Sequence, residues 1–112
     1  MRSGNIFANV PEQIDDVHFT TLLDRDEVKI ERIVSMGQAS PPNFWFDQEW
    51  TEWVIVLSGS AGLRIEGEAD ARTLRPGDYI ELPARTRHRV EWTDAEQPTI
   101  WLALHVFGSG RD

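Results

Sequence analysis

The sequence contains no cysteine, and Lys29 is its single lysine. Without cysteine the chain can form no disulfide, and it offers no thiolate nucleophile, cysteine-ligated zinc or iron–sulfur cluster. Schiff-base chemistry would have only one carrier, and we do not expect it. The glycine-containing stretch at residues 59–62 lacks the spacing of a phosphate-binding loop, a dinucleotide fingerprint or a serine nucleophile elbow. Stability must therefore come from packing.

Positive charge and long apolar runs are also scarce. The chain has 19 acidic and 11 basic residues and a formal net charge of -8. Such a charge repels a phosphate backbone and an anionic membrane surface, so we expect no nucleic-acid partner and no membrane association. The longest apolar runs, residues 53–57 and 100–104, are far shorter than the roughly 20 residues of a membrane-spanning helix. No signal-peptide core follows the opening residues, and we expect a cytoplasmic protein.

The chain does have a period-two alternation of apolar and polar residues from residue 18 onward, interrupted by glycine and proline turns. Its 112 residues are enough for one domain over residues 1–112. The alternation predicts an all-β fold, a small antiparallel β-barrel or sandwich. Residues 1–17 form an N-terminal extension, with at most a helical turn within residues 9–16. The predicted strands cover residues 18–24, 28–35, 52–57, 62–66, 69–74, 79–82, 87–93 and 99–107.

The alternation also predicts which side chains face the interior. In the strand at residues 87–93, His88 shares its parity with Val90 and Trp92, so we expect all three to point inward. Glu52 begins a strand that is apolar on both faces. Because a buried carboxylate is costly, Glu52 should have a cation, a metal or several hydrogen-bond donors, or be protonated. Arg32 shares its parity with apolar neighbours and is a candidate inward partner.

Five residues of the sequence have a spacing that resembles the two signature motifs of the cupin superfamily. The first motif ends in a Glu, six residues and a Gly, as Glu52 and Gly59 do here. The second has a Gly, five residues, a Pro and, five positions later, a His, as Gly77, Pro83 and His88 do. The resemblance covers residues 44–106. It implies a cupin-like jelly roll with an internal site.

The resemblance also implies a possible metal ion. Metal-binding cupins begin the first motif with a His-x-His pair, three or four residues before the Glu. Here those positions hold Phe46 and Gln48, or Trp45 and Asp47, and only Asp47 and Gln48 have ligating side chains. Loss of two imidazoles should weaken the site, which would take manganese, iron or zinc. The ligands implied for this ion are Asp47, Gln48, Glu52 and His88.

Three functions remain open at this point. The chain is a metal-assisted enzyme acting on a small polar molecule, a non-catalytic module that binds a small molecule, or a metal-free dimeric barrel. The sequence assigns no catalytic residue. His105 either supplies a missing imidazole or is a core or interface histidine. The residues predicted to contact a small-molecule ligand are Arg32, Glu52, His88 and Trp92.

We also predict a homodimer. The strand at residues 100–107 is apolar on both sides, and the five tryptophans exceed what a small barrel can hide. The natural contacts are the aromatic cluster at residues 44–46 or the strand at residues 18–24, because an uncovered sheet edge invites pairing with a second chain.

Overall fold

The computed structural model describes residues 1–108, and the regular structure within that range is entirely β. The predicted all-β fold of two packed antiparallel sheets is therefore correct. One sheet has five strands in the order β1-β2-β8-β3-β6, and the other has three in the order β5-β4-β7. The strands are β1 (His18–Asp24), β2 (Val28–Ser35), β3 (Thr51–Ser58), β4 (Ala61–Ile65), β5 (Arg72–Leu74), β6 (Tyr79–Leu82), β7 (His88–Thr93) and β8 (Thr99–Val106).

The core lies between the two sheets, because each strand turns one set of alternate side chains toward the other sheet. In β3, Val54 and Val56 are buried, and they belong to the same core cluster as Leu63 from the facing sheet. The three central strands of the large sheet, β2, β8 and β3, are long and pair over most of their length. They form the most extensively hydrogen-bonded part of the molecule. The remaining buried members of the core cluster are Ala61, Leu74, Leu82, Trp101 and Ala103.

The turn between β3 and β4 explains the glycine of the first motif. Gly59 has a φ of 81°. A Cβ there would lie 2.6 Å from Thr99 Cα and 2.8 Å from the Pro98 carbonyl oxygen. Both the left-handed backbone and the close approach of β8 therefore require glycine.

The N-terminal extension contains no strand within residues 1–17, and the predicted helical turn at residues 9–16 is wrong. A tighter turn forms earlier, at residues 6–9, where the Asn5 side chain accepts a hydrogen bond from Phe7 N at 2.8 Å. Local side-chain hydrogen bonding of this kind competes with helix formation. Among residues 1–108 there is no helix long and apolar enough to cross a membrane.

The extension covers part of the outer face of the large sheet. Arg32 Nη1 donates to the carbonyl oxygens of Ile6, at 3.1 Å, and Ala8, at 2.6 Å. The predicted inward orientation of Arg32 is thus wrong, because the odd-numbered residues of β2 face the interior. Both parities of this strand carry apolar side chains, so the pattern alone did not settle which face is inside. Arg32 is buried, but it holds the N-terminal segment.

The inward orientation predicted for Trp92 is also wrong. The register between β4 and β7 shifts between Gly62 and Leu63, so that Val90 and Trp92 face consecutive residues of β4 and Glu91 is extra. A β-bulge of this kind reverses the parity of everything beyond it. Trp92 therefore lies outside, 39% exposed and packed against Gly62.

Candidate functional site

A cavity of about 370 Å³ opens between the two sheets. The half-exposed rings of Phe19, on β1, and Phe44, in the loop before β3, line its open side. Most of the wall is apolar, including Val54, Leu63 and Trp101. The ionisable and amide side chains that line the cavity are Asp16, Glu31, Gln38, Gln48, Glu52, His88 and His105.

Glu52 and His88 lie next to each other in the cavity lining, as the motif spacing predicts. The β3–β6 pairing fixes Glu52, and β7 begins at His88. The His88 ring lies against Phe46, with ring centroids 5.3 Å apart, and the two backbones exchange hydrogen bonds of 2.7 and 3.1 Å. His88 Nε2 is 3.6 Å from Glu52 Oε1, which is beyond hydrogen-bond distance. The two side chains are neighbours without being bonded.

The orientation of His88 determines which of its nitrogens is available. Its Nδ1 lies 2.8 Å from the Thr86 carbonyl oxygen, which can only accept a hydrogen bond. Nδ1 therefore carries a proton. In the neutral ring Nε2 then has a free lone pair, and this lone pair points toward Glu52 and the cavity.

A second carboxylate–imidazole pair lies in the same cavity, and sequence reasoning missed its acidic member. His105 Nε2 is 2.8 Å from Glu31 Oε1, and His105 Nδ1 is 2.9 Å from the Trp50 indole nitrogen. Because an indole N–H only donates, Nδ1 must accept, and the His105 proton sits on Nε2, which donates to Glu31. Lys29 Nζ lies 3.7 Å from Glu31 Oε2. Glu31 shares its parity with Ile33, which also lines the cavity. Sequence reasoning missed Glu31 because the residue pattern of β2 did not show which face of the strand points inward.

Gln48 lines the cavity, whereas Asp47 does not. Asp47 is exposed, and its carboxylate lies 3.3 Å from Arg85 Nη1. Arg85 also donates its backbone N–H to the Gln48 carbonyl oxygen at 2.6 Å, and it has a φ of 66°, in the left-handed region that glycine adopts most readily. Its contacts with the loop before β3 hold this left-handed backbone in place. The three-residue spacing is thus the one that places Phe46 and Gln48 at the cavity.

Neither Arg32 nor Trp92 lines the cavity. Arg32 is occupied by the N-terminal segment, and the bulge in β7 turns Trp92 outward. Of the four predicted ligand-contacting residues, the structure brings Glu52 and His88 together and leaves these two outside.

The side chains present do not fit a well-held metal ion. Within the part of the chain that the structure describes, no three His, Asp or Glu side chains converge as metal ligands would. Phe46 occupies a position where metal-binding cupins have histidine, and both ring nitrogens of His105 are already hydrogen-bonded. Glu52 and His88 remain, with Gln48 nearby as an amide donor. Two or three such ligands fall short of a closed coordination shell.

Comparison with known proteins gives both a family match and a close relative. Residues 32–106 match the family model for the cupin domain. A crystal structure of a Ralstonia eutropha JMP134 protein named "putative mannose-6-phosphate isomerase" is 53% identical in sequence, with a TM-score of 0.93, covering 96% of this chain and 100% of that one. No curated protein gives a significant match.

Two further structures share the fold at low sequence identity. A cupin superfamily protein from Desulfitobacterium hafniense DCB-2 is 16% identical, with a TM-score of 0.73 and coverage of 88% of this chain and 84% of that one. A protein from Thermus thermophilus is 17% identical, with a TM-score of 0.78 and coverage of 95% of this chain and 97% of that one. At these identities the likeness concerns the fold alone.

Proposed function

The chain belongs to the cupin family, and on that premise we propose that it binds a small organic molecule between its sheets, with the polar group of the ligand at Glu52 and His88. Ligand pockets are typically apolar clefts with a few convergent polar groups, and this cavity has that character. The metal-assisted enzyme and the metal-free barrel, which the sequence left open, receive less support from the geometry.

The observation that carries the proposal is the state of Glu52. The residue is 8% exposed and its carboxylate accepts no hydrogen bond from residues 1–108, and its oxygen atoms, which are not fully enclosed, face the cavity. Burying a carboxylate without donors is costly, and such groups are normally paired. A ligand that places an N–H or O–H group in the cavity supplies the missing donor. His88 Nε2 is positioned to accept a hydrogen bond from the same ligand.

The cavity does not suit a sugar phosphate, although the name of the Ralstonia eutropha protein refers to one. Phosphate groups are held by arginine, lysine or the N-terminus of a helix. Among residues 1–108 no arginine or lysine lines the cavity, and there is no helix. Asp16, Glu31 and Glu52 would repel a phosphate dianion. We therefore do not extend that substrate to this chain.

If the ligand is also a substrate, His88 is the group that fits a chemical role. Its Nδ1–H is fixed by the Thr86 carbonyl oxygen, so that in the neutral ring the Nε2 lone pair faces the cavity as a proton acceptor. General-base histidines are held in this way by a second hydrogen bond. The reaction class that this arrangement favours is proton transfer.

Divalent-metal binding remains a weaker proposal. Manganese, iron or zinc would be held by Glu52 and His88 with Gln48, and Asp47 is too far outside the cavity wall to help. We expect weak binding because so few ligands converge.

A plug at the cavity mouth tests the binding proposal. Ala39 is exposed and borders the mouth, so Ala39→Trp should close the entrance without disturbing the core. NMR screening with small fragments of different charge should shift the methyl resonances of Val54 and Val90 in the wild type and not in the plugged variant. Ala69→Trp, at an exposed alanine away from the cavity, is the matched control and should bind as the wild type does. Fragment shifts that survive Ala39→Trp, or that never involve these methyl groups, contradict the proposal.

We also propose that the chain forms a homodimer. On the outer face of the large sheet Trp53 packs against Tyr79, with ring centroids 5.4 Å apart, and Tyr79 is 65% exposed. Ile55, Leu102 and Leu104 are partly exposed on the same face. Contiguous exposed apolar surface marks an interaction site, and a two-fold dimer is the commonest way to cover it. Light scattering should return twice 12.8 kDa, and Trp53→Glu should return the monomer mass.

A further inference from the structure

The charge of the cavity indicates which class of ligand it would bind. This inference rests on the binding function proposed above. Three carboxylates, those of Asp16, Glu31 and Glu52, line the cavity, and among residues 1–108 no lysine or arginine does. Lys29 approaches Glu31 Oε2 at 3.7 Å but lies outside the lining, with its side chain 34% exposed. A partly enclosed, acidic and mostly apolar space attracts cations and repels anions.

The imidazole of His105 does not supply the missing positive charge. The Trp50 indole N–H points at its Nδ1, and a proton on Nδ1 would set two N–H groups against each other. His105 is therefore held as the neutral ring that donates Nε2–H to Glu31. Glu31 gains a hydrogen bond from this contact, but the pair keeps its negative charge.

Glu52 provides the contact point for a cation. It is 8% exposed, accepts no hydrogen bond within the described range, and has His88 Nε2 3.6 Å away as its nearest partner. An ammonium group carries three N–H donors and a positive charge. It would therefore supply both the hydrogen bonds and the balancing charge that the Glu52 carboxylate lacks. When the ring is neutral, His88 Nε2 can accept a second N–H from the same group.

The walls suit the rest of such a ligand. The rings of Phe44, Phe46 and Trp101 line the cavity, and aromatic faces attract cations. The volume of about 370 Å³ is more than twice the roughly 150 Å³ of a cavity that admits benzene. There is room for an amine with an apolar body of one ring or a short chain.

We infer that the cavity binds a small protonated amine with an apolar body, and that the ammonium group is held by the Glu52 carboxylate. His88 accepts from the same ammonium group, and the aromatic rings surround the carbon next to the nitrogen. Glu31, which contacts His105 on the strand between β2 and β3, adds negative charge from the same sheet.

Three probes that share one ring separate charge from shape. Benzylamine, benzyl alcohol and benzoate carry a cation, a neutral donor and an anion, respectively. Titration at neutral pH, followed by calorimetry or by the cavity methyl resonances, should show benzylamine binding about 10-fold more tightly than benzyl alcohol and benzoate binding weakest. Glu52→Gln should remove about 10-fold of the benzylamine affinity and less of the benzyl alcohol affinity, because the single O–H of the alcohol can also donate to the amide oxygen of glutamine. Glu81→Gln changes the net charge equally on an exposed outward residue and should leave both unchanged.

The possible results distinguish the two proposals. Benzyl alcohol binding as tightly as benzylamine, or benzoate binding best, overturns the amine inference and leaves the binding function in place, with a protonated His88 as the balancing charge. Unchanged benzylamine affinity in Glu52→Gln overturns the role of that carboxylate. If none of the three probes shifts a cavity resonance at millimolar concentration, and the fragment screen against Ala39→Trp is equally silent, the binding function itself fails.

Discussion

Two carboxylate–imidazole pairs share one cavity, and they are built in opposite ways. His105 is bonded at both ring nitrogens, to Glu31 at 2.8 Å and to Trp50 at 2.9 Å. The other pair is open, since His88 Nε2 stands 3.6 Å from Glu52 and the carboxylate accepts no hydrogen bond within residues 1–108. Both acidic residues are buried to a similar degree, at 7% and 8% exposed. Burial alone therefore does not distinguish a carboxylate that is hydrogen-bonded within the protein from one that is not.

An exposed carboxylate in the same molecule makes the contrast sharper. Asp94 accepts a hydrogen bond from the Glu96 backbone N–H at 2.8 Å and another from the Gln97 amide at 3.0 Å. These donors, the backbone N–H foremost, hold the pKa of Asp94 below its usual value. A surface carboxylate here thus has two donors, while the buried carboxylate of Glu52 has none. Donor satisfaction, which is separable from burial, sets Glu52 apart from the other two carboxylates and supports the proposal that it contacts a ligand.

Breaking the closed pair should have the largest effect on stability. His105→Ala removes the donor to Glu31 and leaves the Trp50 N–H without its acceptor. Removing one partner of a buried pair is strongly destabilising, and we expect a loss of about 3 kcal/mol in the free energy of unfolding. Urea denaturation measures it. His18→Ala, at an exposed histidine of β1, should change stability little, and a loss below about 1 kcal/mol in the first variant would show that the pair is not structural.

Changing the open pair, Glu52 and His88, should raise the free energy of unfolding, whereas changing the closed pair lowers it. Glu52→Gln removes a buried carboxylate that lacks donors and offers an amide N–H to His88 Nε2. We expect the free energy of unfolding to rise by about 1 kcal/mol, because the cost of the unsatisfied charge disappears. The same urea experiment applies, with Glu81→Gln as the control. A loss of stability in Glu52→Gln would mean that Glu52 is already satisfied in the folded protein.

The sequence predicted the open pair and missed the closed one, for identifiable reasons. Glu52 and His88 belong to strands whose alternation and motif spacing agree, and the structure places both in the cavity. Glu31 lies on β2, where both parities are largely apolar and the choice of inner face depends on the N-terminal segment that covers Arg32. Which segment covers a strand is a tertiary fact that no single strand reports.

The bulge in β7 is a second feature that the alternation of apolar and polar residues did not predict. All eight strands were predicted, and most bounds agree within one residue. A single extra residue at Glu91 nevertheless reverses Trp92, because side-chain direction depends on a count that one insertion changes. Strand positions follow from composition and turns, whereas the direction of a side chain beyond a bulge requires the partner strand.

Added metal ions should have a smaller effect on the open pair than the substitutions do. If Glu52 and His88 hold manganese, iron or zinc with so few ligands, millimolar metal should raise the free energy of unfolding by less than about 1 kcal/mol. Thermal unfolding with and without each ion, and with a chelator, measures this shift. The double change Glu52→Ala plus His88→Ala should abolish it. Tight stoichiometric binding that survives the double change would place the metal elsewhere.

The smallest expected effect concerns Lys29, at the edge of the closed pair. Its Nζ is 3.7 Å from Glu31 Oε2, and the side chain is 34% exposed, so solvent screens the attraction. Lys29→Gln should therefore cost only about 0.5 kcal/mol in urea denaturation, and Lys29→Arg, which keeps the charge, should cost less. The ordering matters more than the size of the loss. If Lys29→Gln were as damaging as His105→Ala, the lysine would be the main partner of Glu31. The distinction between a closed and an open pair would then rest on a charge at the cavity rim, and the Trp50–His105 hydrogen bond would be secondary.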